Sequence, residues 1–281
     1  MSIPPIFPYS WASDWGEDQY GLWMGLNHKG VHCVFRWIDP GTFMMGSPVG
    51  RKPRYAMEDY HQVALTQGFW IAETTVTQAL WESVLGENPS QFKGEYRPVE
   101  TISWNDCQAF IQALNSFHSE LKVRLPWEAE WEYACRAGTE TPYSFGNEIS
   151  FDKVNFKGLL RLKVGNNSEK WLEKSSYKNS KQATADVKDY PCNEWGLYEM
   201  NGNVWEWCQD CWRDNLGTES VSNPQNERQS LGRSDFHVAR GGAWSDDGRT
   251  LGSASRKDFL VSCRSNNLGF RLTLANLSHN A

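Results

Sequence analysis

Apolar and polar positions partly alternate through VHCVFRWIDPGTFMMGS (31–47), with a Pro-Gly step in the middle. That pattern predicts two strands joined by a turn. Val, Thr, Phe, Trp and Ile crowd HQVALTQGFWIAETTVT (61–77) and extend the strand-like texture. The period then changes. In TQALWESVLG (77–86), Ala79, Leu80, Val84 and Leu85 recur at helical spacing, Thr77 stands where an N-cap belongs and Gly86 stops the run. SWNDCQAFIQALNSF (103–117) repeats the plan: Ser103 caps, Asp106 occupies the third helical position of a capping box, and Cys107, Phe110, Ile111 and Leu114 make one apolar face. A third helix is expected in VRLPWEAEWEYACRAG (123–138), entered through Pro126 and ended by Gly138, with acids in its first half where the helix dipole favours them.

From 139 to 195 the periodicity disappears, and a Lys-, Ser- and Asn-rich stretch (163–191) reads as a long loop or insertion. GLYEMNGNVWEWCQDCW (196–212) follows, dense in indole and read as scaffold; the next segment, 213–237, is polar again. The last stretch, 238–275, looks like strand at both ends and loop in the middle. No repeat of fixed period and no low-complexity linker divides the chain, so one domain is expected.

Composition sharpens this picture. Fifteen tryptophans in 281 residues, spread among turn formers rather than aliphatic runs, fit a loop-rich fold with an aromatic core. A net charge of −6 argues against a nucleic-acid partner, because phosphate binding depends on clustered Lys and Arg. No apolar run approaches the roughly 20 residues that span a bilayer, and the first residues have neither a basic nor an apolar signal region, so a soluble, cytoplasmic protein with no membrane partner is expected. The seven cysteines, at 33, 107, 135, 192, 208, 211 and 263, lack the paired spacing of a disulfide framework.

Five ordered stretches carry a resemblance: FRWIDPGTFMMGS (35–47), RPVETISWNDCQAFIQALN (97–115), RLPWEAEWEYACRAG (124–138), GLYEMNGNVWEWCQD (196–210), and RGGAW with NNLGFRL (240–244 and 266–272). Together they resemble the formylglycine-generating-enzyme, or sulfatase-modifying-factor, family. The resemblance implies an α+β, elaborated C-type-lectin-like fold: a small twisted antiparallel sheet, flanking helices and much irregular structure. It also implies an N-terminal extension over 1–33, the lectin-like domain over 34–275 and a tail over 276–281.

The same resemblance implies functional residues. Asn203, Val204 and Glu206 match a calcium site of the family, and Asn155 with Phe156 matches a second; amide, carbonyl and carboxylate oxygens are the donors calcium prefers. The alternative is that Asn203 and Glu206 bond neighbouring protein groups while Trp205 and Trp207 fill the core. Active family members oxidise a substrate cysteine with copper held by two cysteines just after the Arg-Gly-Gly turn. Those positions fall here at Asp246 and Leu251, neither of them a soft ligand for cuprous ion. Copper and catalytic residues of that type are therefore expected to be absent.

Other chemistries find less support. Cys208 and Cys211 have redox spacing but no strand-then-helix context, and no second Cys-x-x-Cys to complete a zinc site. They are read as structural. His28 and His32 have the first spacing of an iron-binding His-x3-His-x-Glu motif, but residue 34 is Val.

The remaining reading is recognition. Many variable proteins of diversity-generating retroelements are copper-cysteine-less family members altered in this C-terminal stretch. By that resemblance Trp244, Ser245, Asp246, Asp247, Arg249, Lys257, Asp258, Phe259 and Asn266 would line a surface for a protein or other macromolecular ligand, with Ser, Asp, Asn and aromatic types suited to adaptable contacts. The alternatives are an ordinary solvated loop, or an oxidoreductase using Cys263 or the Cys208–Cys211 pair.

Overall fold

The structure is a computed structural model that describes residues 4–50, 57–118, 120–158, 160–164, 168–172, 180–226 and 235–274. The chain opens with β1 (Asp14–Asp18), β2 (Gly21–His28), β3 (Val31–Ile38), β4 (Gly41–Met45), β5 (His61–Leu65) and β6 (Phe69–Ala72). The helices α1 (Gln78–Leu85) and α2 (Trp104–Phe117) follow, then β7 (Val123–Arg124) and α3 (Glu128–Arg136). A hairpin, β8 (Leu160–Val164) and β9 (Ser168–Leu172), interrupts the expected long loop. The second half holds β10 (Trp205–Cys211), β11 (Val221–Ser222), β12 (Phe236–Arg240), β13 (Arg256–Leu260), β14 (Leu268–Gly269) and β15 (Thr273–Leu274). The expected α+β class is what these elements make.

The caps explain where α1 and α2 lie. Thr77 Oγ1 accepts from Leu80 N at 3.2 Å, and Gly86, in left-handed backbone, donates its N–H back to Glu82 O at 2.8 Å. At α2 the reciprocal box forms: Ser103 Oγ accepts from Asp106 N at 3.2 Å, and Asp106 Oδ2 accepts from Ser103 N at 2.8 Å. α3 starts one step later than expected, with Pro126 outside the helix and Trp127 as its N-cap.

Strand pairing departs from the expected hairpin. β3 and β4 do not pair with each other: β3 joins the sheet β1-β2-β3-β6-β15-β7, while β4 joins β11-β5-β4. The polar break at Asp39 and Pro40 lets the chain change sheets. The N-terminal segment supplies β1 and β2, two outer strands of the six-stranded sheet.

A third sheet, β13-β12-β10-β14, positions the C-terminal surface. Alternation along β10 sends Trp205 and Trp207 into the core that α1 and α2 share with the large sheet, while Cys208 enters a second core around Trp131 of α3. On the α2 side, Trp104 stacks on His237 of β12 at 4.2 Å. The sheet is thus a middle layer between two helices.

The α3 side is ionic. Arg240, wholly buried, donates to Glu132 and lies 3.5 Å from Glu128; Arg256 donates to Glu128; and Arg136 pairs with Glu132 at 2.7 Å. Glu130 is paired with Arg124 at 2.7 Å. The acids of α3 thus answer buried arginines from other strands as well as the helix dipole. Gly241 and Gly242 follow Arg240 at φ +96° and +73°, and a Cβ on Gly242 would meet Thr250 O at 2.9 Å. Only glycine combines that turn with that approach.

Candidate functional site

The Gly-Gly turn delivers residues 243–251 to the outer end of the third sheet, and Asp246 sits at its centre. Its Oδ2 accepts from Trp205 Nε1 at 2.6 Å and from Ala243 N at 3.0 Å. Burial pushes the carboxyl up, against the lowering pull of the Lys257 ammonium and the Trp205 donor. Lys257 and Phe259 alternate onto the same face of β13, and the Lys257 ammonium lies 5.5 Å from the Trp205 ring and 4.9 Å from the Phe259 ring. Phe259 meets Trp207 edge-on at 5.7 Å.

Beside this group, Trp244 donates its indole N–H to Asn266 O at 3.1 Å and meets Phe92 edge-on at 5.3 Å. Asn266 Nδ2 donates to Gln91 Oε1 at 2.9 Å, and Asn267 Nδ2 donates to Ser245 Oγ at 2.9 Å. The structure therefore brings together Trp244, Ser245, Asp246, Lys257, Phe259 and Asn266.

It sets the others apart. Asp258 takes the opposite face of β13 by strand alternation. Asp247 caps a short 3-10 turn by accepting from Arg249 N at 2.8 Å and holds the Arg249 guanidinium at 2.7 Å. Burial would raise the Asp247 carboxyl, but the Arg249 donors bring it below its usual value. Gly248 O in the same turn accepts from Tyr143 at 2.7 Å, so this pair faces another neighbourhood. The expectation of loops in the middle of the segment needs correction, since Lys257, Asp258 and Phe259 lie on a strand.

Three participants went unread in the sequence. Trp205 was assigned to the core, yet its N–H reaches the surface acid. Gln91 and Phe92 sit in a loop whose composition, NPSQFKGEY, gives no signal of the Gln91–Asn266 contact, 175 residues away. A cleft of ≈ 320 Å³ lined by Leu65, Arg124, Trp127, Glu130 and Gln225 contains none of the nine expected residues.

The expected calcium ligands are engaged by protein. Arg271 donates to both carboxylate oxygens of Glu206, at 2.6 and 2.7 Å, and Trp131 Nε1 adds a third bond at 2.7 Å. Asn203 Oδ1 accepts from Ala185 N at 2.8 Å and from Asn155 Nδ2 at 3.1 Å, and Asn155 O accepts from Asn203 N at 3.0 Å. Val204 is buried, and the Phe156 ring is buried among apolar neighbours. A carboxylate gripped by a guanidinium does not fit a calcium donor set. Asn203 and Asn155 are likewise bonded to protein groups and to each other.

The Cys-x-x-Cys thiols are likewise internal. Cys208 and Cys211 are buried and form no disulfide, and burial pushes the Cys208 thiol well above its ordinary range. A nucleophilic or redox role wants the reverse shift and access.

Comparison with known proteins agrees with this architecture. The family model described as the sulfatase-modifying factor enzyme 1-like domain, FGE-sulfatase, matches residues 32–276. The chain belongs to the FGE-sulfatase family. It is 30% identical over 187 residues to the formylglycine-generating enzyme of Mus musculus, covering 66% of this chain but only 44% of that protein. Among solved structures, Treponema denticola variable protein 1 superposes with a TM-score of 0.73 at 24% identity, covering 90% of this chain and 98% of that one. PvdO from Pseudomonas aeruginosa superposes at 0.70 with 23% identity, covering 94% and 98%. Such likenesses show a shared FGE-sulfatase fold.

Within that family fold, the two positions matched to copper thiols have other work here. Asp246 is an acceptor for an indole and a backbone N–H, and Leu251 is wholly buried beside Tyr143, Val154 and Phe156.

Proposed function

We propose that this FGE-sulfatase domain is a non-catalytic binding module. Trp244, Ser245, Lys257, Phe259 and Asn266, with Gln91 and Phe92, form its recognition surface for a protein or other macromolecular ligand. The observation that carries the reading is the exchange at 246 and 251. A hydrogen-bonded aspartate and a core leucine stand where soft sulfur donors would be needed, and neither ligates cuprous ion. Around them lie half-buried aromatics and paired amides on a hydrogen-bonded frame, which suits recognition by a pre-organised surface. The fold shared with a variable protein of Treponema denticola supports a finer form, a diversified surface over 244–267.

The competing reading draws on the mouse relative's name and makes the chain a formylglycine-generating oxidase. Two measurements separate them. Purified protein given a cysteine peptide, cuprous ion and oxygen is expected to leave the thiol unchanged; aldehyde in the peptide would end the non-catalytic reading. Peptides selected from a displayed random library are expected to lose binding on Trp244→Ala and on Gln91→Ala, with thermal melts checking that both variants fold. Retention of binding by both variants would show that recognition, if any, uses another surface.

A further inference from the structure

Far from positions 246 and 251 in the sequence, the end of β2 meets the end of α2 through two imidazoles. His28 Nδ1 lies 3.2 Å from His118 Nε2, with the rings at 68° to each other. His28 is 4% exposed and packs on Phe117 at 4.8 Å, whereas His118, the C-cap of α2, is only half-buried. The far nitrogen of His28, Nε2, is buried without a hydrogen bond of good geometry. The Ser83 carbonyl is the backbone acceptor beside this ring, and it also accepts from Lys29 Nζ at 2.7 Å.

Two facing imidazole nitrogens cannot both present lone pairs to each other, so the gap holds either a hydrogen or a cation. Two metal–nitrogen bonds of about 2.0–2.1 Å place their nitrogens roughly 2.9 Å apart at a right angle and roughly 3.4 Å apart at the tetrahedral angle. The observed 3.2 Å lies between these values, so the separation of the two nitrogens matches that of two ligands on a common ion. Imidazole favours borderline divalent transition ions over calcium or magnesium. The geometry points to a two-histidine site for zinc, nickel or cupric ion between His28 Nδ1 and His118 Nε2, completed by water.

The proton balance is simple. The gap hydrogen leaves its nitrogen for solvent, and the same ring takes a proton on its far nitrogen, so each imidazole stays neutral. For His28 that places N–H at the buried Nε2, which has no other hydrogen-bond partner. Burial, with His118 and Lys29 acting in the same direction, lowers the basicity of His28 and keeps its ring neutral. Among the described residues no third His, Cys, Asp or Glu joins the pair, and Lys29 carries an opposing charge nearby. Affinity is therefore expected to lie below that of a closed four-ligand zinc site. Bound metal would fasten the end of β2 to the end of α2. This site is separate from the His28–His32 spacing of the sequence, because His32 pairs instead with Asp14 at 2.8 Å.

The test uses tag-free full-length protein stripped with chelator and titrated calorimetrically with zinc chloride and nickel chloride, alongside thermal melts. Expected are one equivalent of bound metal, a raised Tm, weakening by roughly tenfold or more in His118→Ala, and wild-type binding in His32→Ala. His118 is half-buried at a helix end, so its variant should fold, and the metal-free melt verifies that. Lys29→Gln is expected to tighten binding by removing the neighbouring charge. Absence of heat and of a Tm shift in the wild type would overturn the site, as would unchanged one-equivalent binding in folded His118→Ala or its loss in His32→Ala.

Discussion

The two faces of the β13-β12-β10-β14 sheet use charge in opposite ways. Toward α3, Glu206, Arg240 and Arg256 send buried groups into fixed pairs with Arg271, Glu132 and Glu128. Toward the outer surface, Asp246 and Lys257 sit among Trp205, Phe259 and solvent, and the ammonium rests on aromatic faces. Neighbouring residues of one strand, Trp205 and Glu206, serve the two sides by strand alternation. The inner face has little freedom, since each charge removed strands another in low dielectric. At exposed Lys257 the outer face tolerates change, because water replaces what a substitution takes away. That asymmetry is what a recognition scaffold requires: a fixed inside and a permissive rim.

Breaking the inner face should have the largest effect. Arg240→Ala leaves Glu132 with Arg136 as its only guanidinium, beside the Gly46 N–H, and removes the bonds to the Ala254 and Ser255 carbonyls, both at 2.9 Å. Removing one partner of a buried pair costs about 3–5 kcal/mol, to be read by urea denaturation. Lys257→Ala on the outer face should cost about 1 kcal/mol or less. Equal costs for the two would erase the distinction between the faces.

Proton uptake sharpens the same contrast. Burial raises Asp210 to about 8, with Glu128 adding to the rise, and burial raises Glu199 to about 7. Both folded values exceed the ordinary carboxyl range of about 4, so the folded chain holds protons that the unfolded chain releases. Their contribution is full below that range and is lost as pH rises toward 7 and 8. Glu132 behaves oppositely: burial opposes ionisation, but Arg136 and Arg240 bring its carboxyl below the usual value. Its contribution is present at neutral pH and is lost on acidification. Stability should therefore fall between mildly acidic and mildly alkaline pH, by up to roughly 1.4 kcal/mol per pH unit for each group still ionising. Asp210→Asn should flatten that slope in denaturation series across pH. A slope unchanged by the substitution would remove Asp210 from the account.

How much of this could be read beforehand depended on whether the signal was local. The caps of α1 and α2 lie within four residues of what they cap, and Thr77, Ser103 and Asp106 do in the structure what their spacing predicted. The ordered family motifs carried the fold class. Strand partners were not legible, because alternation in β3 and β4 reports a buried face and not which sheet lies beside it. The acids of α3 looked like dipole complements, and their arginines arrive from as far as Arg256. Within the expected surface, residue types could not tell that Asp258 turns away from Lys257, or that Gln91 and Phe92 join from another loop. The partner of Glu206 was not legible for a similar reason: Arg271 is 65 residues distant.

The smallest expected effect lies at the rim. Arg249 and Asp247 form a bidentate pair at 2.7 and 3.0 Å, with side chains 46% and 26% exposed. Solvent screening limits such a pair to about 0.2–1 kcal/mol, so Arg249→Ala should leave the urea midpoint almost unmoved. Asp247→Ala should cost somewhat more, because it also removes the acceptor that caps the 3-10 turn at Arg249 N. The order of these two costs is the informative quantity: if the arginine proves the costlier residue, the pair is coupled to the interior through the Tyr143–Gly248 bond. The permissive rim would then begin beyond Asp247, leaving Trp244, Lys257, Phe259 and Asn266 as the part of the surface free to vary.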